Sequence, residues 1–540
     1  MLNKTKRAIK YYNDKEFNKA KELFEELLAI DSSNYELLIC YGLTLFYLEE
    51  YNLALNYLKQ ADAIKKTPET QGALGLVYYK LNMLNDSQIC LITSIVEKYN
   101  DEYAKQLEKL LAELKNDEAL LGLKLLIIEN KPKDIPTLRD ITQLASKLKK
   151  FDIALEYYKE LLTLCPDDYV AWNNMGLVYE EINEWEKSYN CYKKALSLKD
   201  FFSPNFNLGI MSRKLHRFQD SINYLKKAVI QNPNSPQPKY SLSMSYMMVK
   251  DFKNGYPLYA NHMTKIMPSF YKNEWDGKMH TDDTLCIFST GGLGDMIMFA
   301  RYFDYLKDYF KKIYILLPKT LHSIMKRNYP YLEIIDSSVI FNDFDWATTP
   351  MHILKHFDLD FTQIVPQKDG FLGSNPDKTW AFREKYFNHS KLKIAINWHG
   401  NREGTRTFFN RSMPIEKFEP IFELLSDKAV FYSIQKDESY TECHKYPNIV
   451  DMYSVINDFD DTASILKNCD LLISIDSSPI HMAGALGVNT YAILPYANEW
   501  RWFINDDKTI WYDSVELFRQ DKEGDWDSAI NKIYKKLTEN

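Results

Sequence analysis

The sequence lacks a cysteine pattern that would indicate a disulfide framework or a zinc ribbon. Its seven cysteines are scattered, and none of them forms a Cys-x-x-Cys pair. An excess of basic residues is also missing, because the formal net charge is −7 at pH 7. This charge argues against a nucleic-acid-binding protein, although a small anion site needs only local donors.

Long apolar runs are absent as well. The N-terminal stretch MLNKTKRAIKYYNDKEFNKA is charged throughout and has no apolar core of the kind found in a signal peptide. No run approaches the ~20 apolar residues that a membrane span requires. These absences predict a cytoplasmic protein without a transmembrane segment. With 45% hydrophobic and 26% charged residues over 540 residues, the chain is predicted to form three or four globular units.

The first half of the sequence repeats at a regular interval. The positions of Gly42 and Gly75 differ by 33, and those of Gly176 and Gly209 differ by the same amount. This pattern resembles the tetratricopeptide repeat, a helix–turn–helix unit of about 34 residues. A small residue on the first helix lets the second helix approach closely.

The repeats predict an all-α solenoid, since one helix pair cannot bury its apolar face alone but a stack can. We expect about seven repeats over residues 1–268, with an irregular unit or a joint near residues 101–136. Such a stack favours the recognition of a protein or peptide partner. The alternative is an architectural spacer or a dimerisation arm.

The second half alternates short β-rich runs with helical ones. A first series contains LCIFST, IYILLP and LEIID, and a second contains LKIAINW, AVFYSI, LLISI and NTYAIL. Strands separated by helices predict βαβ units and parallel sheets. We expect two Rossmann-like domains, at residues 269–390 and 391–540, with ligands bound at the carboxyl ends of the strands.

A glycine-rich turn follows the first strand of this half, at residues 291–295 (Gly-Gly-Leu-Gly-Asp). A Walker loop is excluded because no Gly-Lys-Ser/Thr follows, and the dinucleotide fingerprint is poor because Ile297 replaces its third glycine. A nicotinamide-dependent oxidoreductase would rest on these glycines alone. Two interpretations remain: a turn that lets substrate approach the backbone while Asp295 projects into a cleft, or a tight turn with a helix-capping aspartate.

Two later stretches carry polar residues at the ends of predicted strands. Hydroxyls and free amides at a helix start could hold a pyrophosphate, helped by a cation such as Arg411. The alternatives are N-capping for the serines, a core position for the histidine and a surface salt bridge for the arginine. The candidate residues are Trp398, Gly400, Asn401 and Arg411 in the first stretch, and Asp476, Ser477, Ser478 and His481 in the second.

Taken in order, several of these stretches resemble a known family. Gly-Leu-Gly-Asp, Asn-Arg-Ser-Met-Pro, SIDSSPIHMAGALG, LPYANEWRWF and WYDSVELFRQ are similar to stretches of tetratricopeptide-repeat proteins that end in a family 9, heptosyltransferase-like glycosyltransferase domain. The resemblance implies a GT-B fold and sugar transfer with inversion from a nucleotide-sugar donor. It also implies that neither a metal in the active site nor a separate cofactor is needed.

The resemblance implies a role for individual residues. Asp295 matches the proposed general base, Gly292 and Gly294 lie in its loop, and Arg411 matches the residue that neutralises the leaving phosphates. The donor-binding positions are Trp398, Gly400, Asn401, Gln435, Lys436, Asp476, Ser477, Ser478 and His481. The sequence departs from many relatives at Thr290-Gly291 and at Met296 and Met298, which leaves the acceptor and the activity open.

The sequence therefore predicts a glycosyltransferase that moves a sugar to an acceptor hydroxyl, on a protein recruited by the repeats. A catalytically degenerate repeat scaffold is one alternative. A transferase acting on a lipopolysaccharide or polysaccharide acceptor is another.

Overall fold

The computed structural model describes residues 2–265, 273–289, 291–356, 369–400, 411–504 and 506–539. The chain forms two compact units, Met1–Lys199 and Asp200–Asn540, which are called unit 1 and unit 2 below. No helix in the described part of the chain is long and apolar enough to cross a membrane.

Unit 1 is built from six helix pairs, each with helices of 12 to 14 residues. In several pairs, an asparagine, aspartate or threonine side chain caps the N-terminus of the first helix, as Asn34 does for α3 and Thr67 for α5. The helices are α1 (Leu2–Asn13), α2 (Phe17–Ile30), α3 (Tyr35–Tyr47), α4 (Tyr51–Ile64), α5 (Pro68–Lys80), α6 (Leu84–Glu97), α7 (Asp101–Glu113), α8 (Asp117–Asn130), α9 (Ile135–Lys147), α10 (Phe151–Leu164), α11 (Tyr169–Glu181) and α12 (Trp185–Leu198).

The repeat glycines have the packing role that the sequence predicts. A Cβ atom on Gly42 would lie 2.6 Å from Leu58 Cγ, and one on Gly75 would lie 2.6 Å from Leu91 Cγ. Each glycine therefore faces a leucine on the second helix of its own pair, at the same offset along the chain. Removal of the Cβ atom allows the two helices to come this close.

The helix pair α7–α8, near residues 101–136, is regular in helix length although its sequence fits the period poorly. Glu108 stands one period after Gly75, where the next glycine would be expected, and Lys124 stands where the facing leucine would be. Lys124 Nζ donates to Glu108 Oε1 at 2.8 Å and lies 2.6 Å from Asp140 Oδ2. An ion pair thus replaces the glycine–leucine contact of the neighbouring repeats. This replacement explains why the sequence suggested an irregular unit here.

Unit 2 begins with two further helix pairs, so eight pairs are present rather than about seven. Each of the eight turns inside a helix pair holds one non-glycine residue with positive φ, and these residues recur at a nearly constant interval: Lys15, Glu49, Asn82, Lys115, Lys149, Asn183, His216 and Lys250. The added helices are α13 (Phe202–Lys214), α14 (Phe218–Gln231), α15 (Pro236–Met248) and α16 (Phe252–Lys265).

The rest of unit 2 contains two parallel sheets. The first has the strand order β3-β2-β1-β4, and the second has the order β10-β9-β8-β5-β6-β7. The strands are β1 (His280–Phe288), β2 (Phe310–Leu317), β3 (Leu332–Asp336), β4 (Trp346–Thr348), β5 (Leu392–Asn397), β6 (Ala429–Ser433), β7 (Ile449–Asp451), β8 (Leu471–Ile475), β9 (Thr490–Leu494) and β10 (Val515–Arg519).

Helices connect most of these strands, as parallel pairing requires. The connecting helices are α17 (Leu293–Phe299), α18 (His322–Asn328), α19 (Pro350–His356), α20 (Pro376–Phe382), α21 (Glu419–Leu424), α22 (Phe459–Leu466) and α23 (Ser478–Ala485), and α24 (Trp526–Glu539) follows the last strand. The prediction of helical repeats followed by an α/β region with parallel sheets is confirmed.

The predicted boundary at residue 268 crosses a continuous core. Phe218 and Met247 of the repeats belong to the same buried cluster as Ile297 and Trp500 of the α/β region. The last two helix pairs therefore fold together with the α/β region. The division at residue 390 stays a prediction.

Candidate functional site

The candidate site lies where the strand order of each sheet reverses. In the second sheet, β5 is followed along the chain by β6 on one side, whereas β8 pairs on its other side. The carboxyl ends of β5 and β8 therefore frame a crevice of the kind in which α/β proteins bind ligands. Within unit 2, the segment that contains β1–β4 is called the first half below, and the segment that contains β5–β10 is called the second half. A cavity of about 790 Å³ lies at this crevice, and its lining includes Leu293 of the first half and Ser477 of the second half.

The glycine-rich turn follows β1, which is the corresponding switch point of the first sheet because β2 and β4 flank β1. Gly291 has φ +84°, and a Cβ atom there would lie 2.3 Å from Asp295 Oδ2. Asp295 Oδ2 in turn accepts a hydrogen bond from the Gly292 N–H at 2.9 Å. The carboxylate therefore caps its own helix, as one of the two interpretations predicted.

The other oxygen of Asp295 faces the second half of unit 2. Arg501 Nε donates to Asp295 Oδ1 at 2.7 Å, and the Arg501 Nη2 group contacts the same oxygen. Both side chains are 13% exposed. Burial alone would lower the pKa of Arg501, but Asp295 and Glu499 raise it, so that the guanidinium remains charged. The capping and the projecting interpretations of Asp295 are thus compatible in this geometry.

Gly294 lets the two halves approach closely. A Cβ atom on Gly294 would lie 2.6 Å from His481 Cδ2, which belongs to α23. The glycine that was expected to face substrate therefore faces a helix of the other half. This contact places α17, with Asp295 on its first turn, against the helix that starts at the serine pair.

His481 is a buried residue within this interface. It is 4% exposed, its Nδ1 lies 3.0 Å from the Tyr512 hydroxyl, and its ring stacks on Trp502 at 5.2 Å. Burial lowers the pKa of His481 well below 6.5, and the nearby cation Arg501 lowers it further. The neutral ring matches the alternative interpretation of a core histidine. It does not line the cavity.

The serine turn after β8 is held from the neighbouring strand. Ser477 Oγ donates to Asn397 Oδ1 at 2.8 Å and makes no capping bond to its own helix. Ser477 and Ser478 both line the cavity. Asp476 is 4% exposed, and its Oδ2 atom lies 4.0 Å from Arg411 Nη1. Arg411 therefore lies near a buried acid, and it is not among the residues that line the cavity.

Gln435 fixes the loop after β5 through hydrogen bonds. Its Oε1 accepts from Asn397 Nδ2 and from the N–H groups of Trp398 and His399 at 2.7 to 3.1 Å. Its Nε2 donates to the His399 carbonyl at 3.1 Å and to Asp437 Oδ1 at 2.9 Å. Although Gln435 lines the cavity, its amide is fully used within the protein, which argues against the expected direct contact with a nucleotide.

The remaining donor-binding candidates differ in their environments. Trp398 is 0% exposed and its Nε1 donates to Glu442 Oε2 at 2.9 Å. The predicted contact between its ring and the donor is therefore not possible in this structure. Gly400 lines the cavity. Lys436 Nζ donates to the Tyr453 carbonyl oxygen at 2.7 Å and lies 4.0 Å from the centroid of the Tyr453 ring. Asn401 lies outside the described residues.

The departures from the family pattern are of two kinds. Met296 and Met298 are 2% and 0% exposed and pack in the core. They do not line an acceptor site, contrary to the expectation. Thr290 lies outside the described residues, whereas Gly291 is required by the turn that holds Asp295.

Three polar residues of the site were missed by sequence reasoning. Asn397 orients Ser477, Arg501 contacts Asp295, and Glu499 lies 3.6 Å from Arg501. Burial raises the pKa of Glu499, and repulsion from Asp476 adds to the effect. The signal for the last two was the sequence Asn-Glu-Trp-Arg-Trp, in which charged residues alternate with large aromatic ones and so indicate buried charge.

One group among the described residues could hold a metal ion. The ligand atoms of Cys443, His444 and Asp451 lie within 4.8 Å of one another. His444 Nε2 is 2.9 Å from Asp451 Oδ2, so the pair is also satisfied without an ion. These three residues do not line the cavity.

The site combines a cavity of about 790 Å³ with a carboxylate on the helix that borders it: Leu293 of α17 lines the cavity, whereas Asp295, two positions later, does not. A carboxylate has about four acceptor positions, and Asp295 uses three of them for Gly292 and Arg501. One position remains for a further donor, such as a hydroxyl group. The start of α23 and Arg411 provide partial and full positive charge for an anion.

Comparisons with known proteins identify the repeats. A sequence profile described as "Tetratricopeptide repeat" matches residues 171–200. Protein FlbA of Caulobacter vibrioides is 21% identical over 448 residues, which cover 75% of this chain and 72% of FlbA. BBSome complex member BBS4 of Mus musculus is 21% identical over 258 residues, which cover 45% of this chain and 47% of BBS4.

Among solved structures, that of Naa15/Naa10 bound to HypK-THB has a TM-score of 0.41 at 12% identity, and the match covers 49% of this chain and 42% of that chain. The FlbA alignment is longer than the helical part, which ends at Lys265, so it includes part of the α/β region. The chain contains tetratricopeptide repeats, and its all-helical repeat solenoid is followed by an α/β region with parallel sheets.

Proposed function

We propose that the α/β region is a nucleotide-sugar-dependent glycosyltransferase of the GT-B type, which transfers a sugar with inversion to an acceptor hydroxyl. One observation carries the proposal. The Asp295 carboxylate stands at the switch point of one parallel sheet and faces the half of unit 2 whose own switch point holds the cavity. A carboxylate at the switch point of one sheet, in contact with an arginine of the segment that carries the other sheet, suits a direct displacement at a sugar carbon.

In the proposed reaction, Asp295 takes the proton of the acceptor hydroxyl as the oxygen attacks the anomeric carbon. The bond from that carbon to the diphosphate breaks, and the diphosphate leaves with the electron pair. General base catalysis contributes a factor of about 10²–10⁴. The α23 start and Arg411 would stabilise the leaving diphosphate, and this charge stabilisation is the larger contribution.

The acceptor is proposed to be a protein or peptide bound by the repeats. Repeat stacks provide extended surfaces for such partners. A saccharide acceptor on a lipid or a polysaccharide would need no such surface. Mass spectrometry of candidate protein partners co-expressed with the chain would detect an added sugar.

The Asp295→Asn variant tests the chemical role of the carboxylate. Asparagine has the size of aspartate, but its single carbonyl oxygen can replace only one of the two acceptors, toward Gly292 or toward Arg501. We expect unchanged binding of the nucleotide-sugar donor, because Asp295 does not line the cavity. Transfer should fall by about 10²-fold or more because the proton acceptor is lost. Donor binding is measured by calorimetry and transfer by mass spectrometry over a panel of nucleotide sugars. Asp308→Asn, at an exposed position of the same half, is the matched control. Unchanged transfer by Asp295→Asn would remove Asp295 from the mechanism.

A binding scaffold without transferase activity is the second candidate. It is favoured by the charge around the cavity, where Asp437, Glu438, Glu442 and Asp458 contribute carboxylates and the cation of Lys436 is engaged by Tyr453. Such a lining is less suited to a diphosphate than a basic one. Absence of both donor binding and slow donor hydrolysis across the panel would favour the scaffold.

A further inference from the structure

The last two repeats pack directly on the connection between β9 and β10, residues 495–514, which is called the β9–β10 connection below. Tyr259 of α16 makes an edge contact with Trp500 at 5.8 Å between ring centroids. Phe252 of α16 contacts Phe503 in the same way at 5.9 Å. These rings lie in one buried cluster with Met247 of α15. The connection is therefore fixed by the repeats through apolar contact.

The turns of these two repeats also contact the connection. His216 stacks on Tyr496 at 4.2 Å with an interplanar angle of 10°, and its Nε2 lies 3.0 Å from the Tyr496 carbonyl oxygen. Lys250 Nζ lies 2.7 Å from Asp506 Oδ2 and 5.1 Å from the centroid of the Phe503 ring. His216 and Lys250 are both positive-φ turn residues. Lys149 occupies the equivalent turn position in one repeat of unit 1, and its side chain is exposed.

The same connection carries Arg501. The Arg501 carbonyl oxygen accepts from Trp511 Nε1 at 2.9 Å, and its guanidinium reaches Asp295 across the interface of the two halves. Asp295 Oδ2 is held by Gly292 and Oδ1 by Arg501, so the carboxylate has one orientation. Loss of either contact would let the side chain rotate.

We propose that the last two repeats hold the β9–β10 connection and thereby position Arg501, which fixes the Asp295 carboxylate for its reaction. Arg501 acts through Asp295 and is a positioning residue. The consequence for turnover rests on the proposed function, whereas the placement itself does not. The repeats thus serve the chemistry of the α/β region in addition to any role in partner binding.

Amide hydrogen exchange of the full chain tests the placement without an activity assay. The double variant His216→Asn and Lys250→Asn keeps both turns, since asparagine occupies this positive-φ position at Asn82 and Asn183. We expect amides of the β9–β10 connection and the Gly292 amide to exchange about tenfold faster, because local opening becomes easier. The control, Lys115→Asn with Lys149→Asn, makes the same change in unit 1 and should leave both segments unaffected.

Two substitutions of Arg501 separate positioning from simple packing. Arg501→Met removes the charge and should also speed Gly292 exchange, whereas Arg501→Lys keeps an ion pair and should restore most of the protection. On an active transferase, Arg501→Met should lower kcat with little change in KM for the donor, and lysine should recover part of kcat.

The outcomes are distinguishable. Faster Gly292 exchange in Arg501→Met and in the double turn variant, with rescue by lysine, supports the proposal even when no donor is turned over. Unchanged Gly292 exchange in Arg501→Met overturns the role of Arg501. Faster exchange in Arg501→Met without any change in the double turn variant overturns the role of the two repeat turns in holding the connection. Absence of turnover by the unmodified chain counts against the proposed function alone.

Discussion

At the residue scale, Gly291 decides where the Asp295 carboxylate lies. Its φ of +84° disfavours any other residue, and a Cβ atom would meet Asp295 Oδ2 at 2.3 Å. Gly292 has φ −86°, and the nearest atom to its added Cβ atom is 3.9 Å away. The two neighbouring glycines therefore make different demands, although the sequence shows only a run of glycines.

This difference gives a prediction. Gly291→Ala should lower the free energy of unfolding by about 1–3 kcal/mol, because it combines backbone strain with a clash. Gly292→Ala should cost below about 1 kcal/mol, since only the preference for glycine at a helix start is lost. Urea unfolding of the full chain measures both variants. Equal costs would show that the turn does not constrain Asp295.

His481 provides a pH-dependent prediction. Its pKa is lowered well below 6.5 by burial, so the folded state keeps the ring neutral while the unfolded chain takes up a proton near pH 6.5. The unfolded state binds more protons, so stability is lost as pH falls. Between pH 7 and pH 5 this group should therefore lower the free energy of unfolding.

Urea unfolding at the two pH values measures this loss. His481→Gln should weaken the pH dependence by the same amount. A pH dependence that persists in His481→Gln would place the proton uptake elsewhere.

The sequence identified Asp295 but not its partner. A loop after a strand and before a helix predicts where Asp295 lies, because strand ends meet at one edge of a sheet. Arg501 is 206 positions away, and only the folded arrangement brings it there. Gln435 was predicted to face a nucleotide from the family resemblance, and Trp398 was a donor-binding candidate in a stretch that follows a strand. Their burial could not be read locally, since it depends on hydrogen bonds to Asn397 and Glu442.

At the element scale, the helix pair α7–α8 shows how one repeat can change its chemistry and keep its geometry. Lys124 is buried at 7% side-chain exposure, whereas Glu108 and Asp140 are 40% and 45% exposed. The lysine therefore depends on the two carboxylates more than they depend on it. Burial alone would lower the pKa of Lys124, but these carboxylates raise it.

The asymmetry predicts the order of three variants. Glu108→Gln with Asp140→Asn leaves a buried ammonium unpaired and should cost about 2–4 kcal/mol of unfolding free energy. Glu108→Gly with Lys124→Leu restores the contact of the neighbouring repeats and should be neutral or stabilising. Glu69→Gln, in the exposed pair with Lys98, should change stability by less than about 1 kcal/mol. Thermal and urea unfolding check the order, and a larger cost for the Gly–Leu variant would contradict it.

Elements were predicted from the sequence where periodicity was strong. The longer strands such as β1 and β8 were identified, whereas β4 and β7 have three residues each and give no pattern. The eighth helix pair was missed because the glycine signature that defines the period is absent from α7, where Glu108 replaces it.

At the scale of the whole molecule, the compositional boundary and the packing boundary differ. Sequence patterns change near residue 268, where repeats give way to strands. The buried core instead joins Phe218 and Met247 to Trp500, so that the compact unit begins at Asp200. A change in sequence pattern indicates a change in secondary structure. The boundary of a compact unit depends instead on which helices and strands pack against one another.

Fragments of the chain test this difference. Residues 200–540 should be soluble and unfold cooperatively, because they keep the shared core. Residues 269–540 should aggregate or lack a cooperative transition, since removal of α13–α16 exposes the aromatic face of the β9–β10 connection. Size-exclusion chromatography and circular dichroism on heating measure both. Equal behaviour of the two fragments would show that the last repeats are dispensable for folding.

The nearly constant spacing of the positive-φ turns has an evolutionary consequence. A duplication or deletion of one complete helix pair before Asp200 leaves every contact inside unit 2 in place. The same event after Asp200 would remove His216 or Lys250 from its aromatic neighbour. Related proteins should therefore vary in repeat number at the front of the solenoid, while the two pairs next to the sheets are inherited together with them.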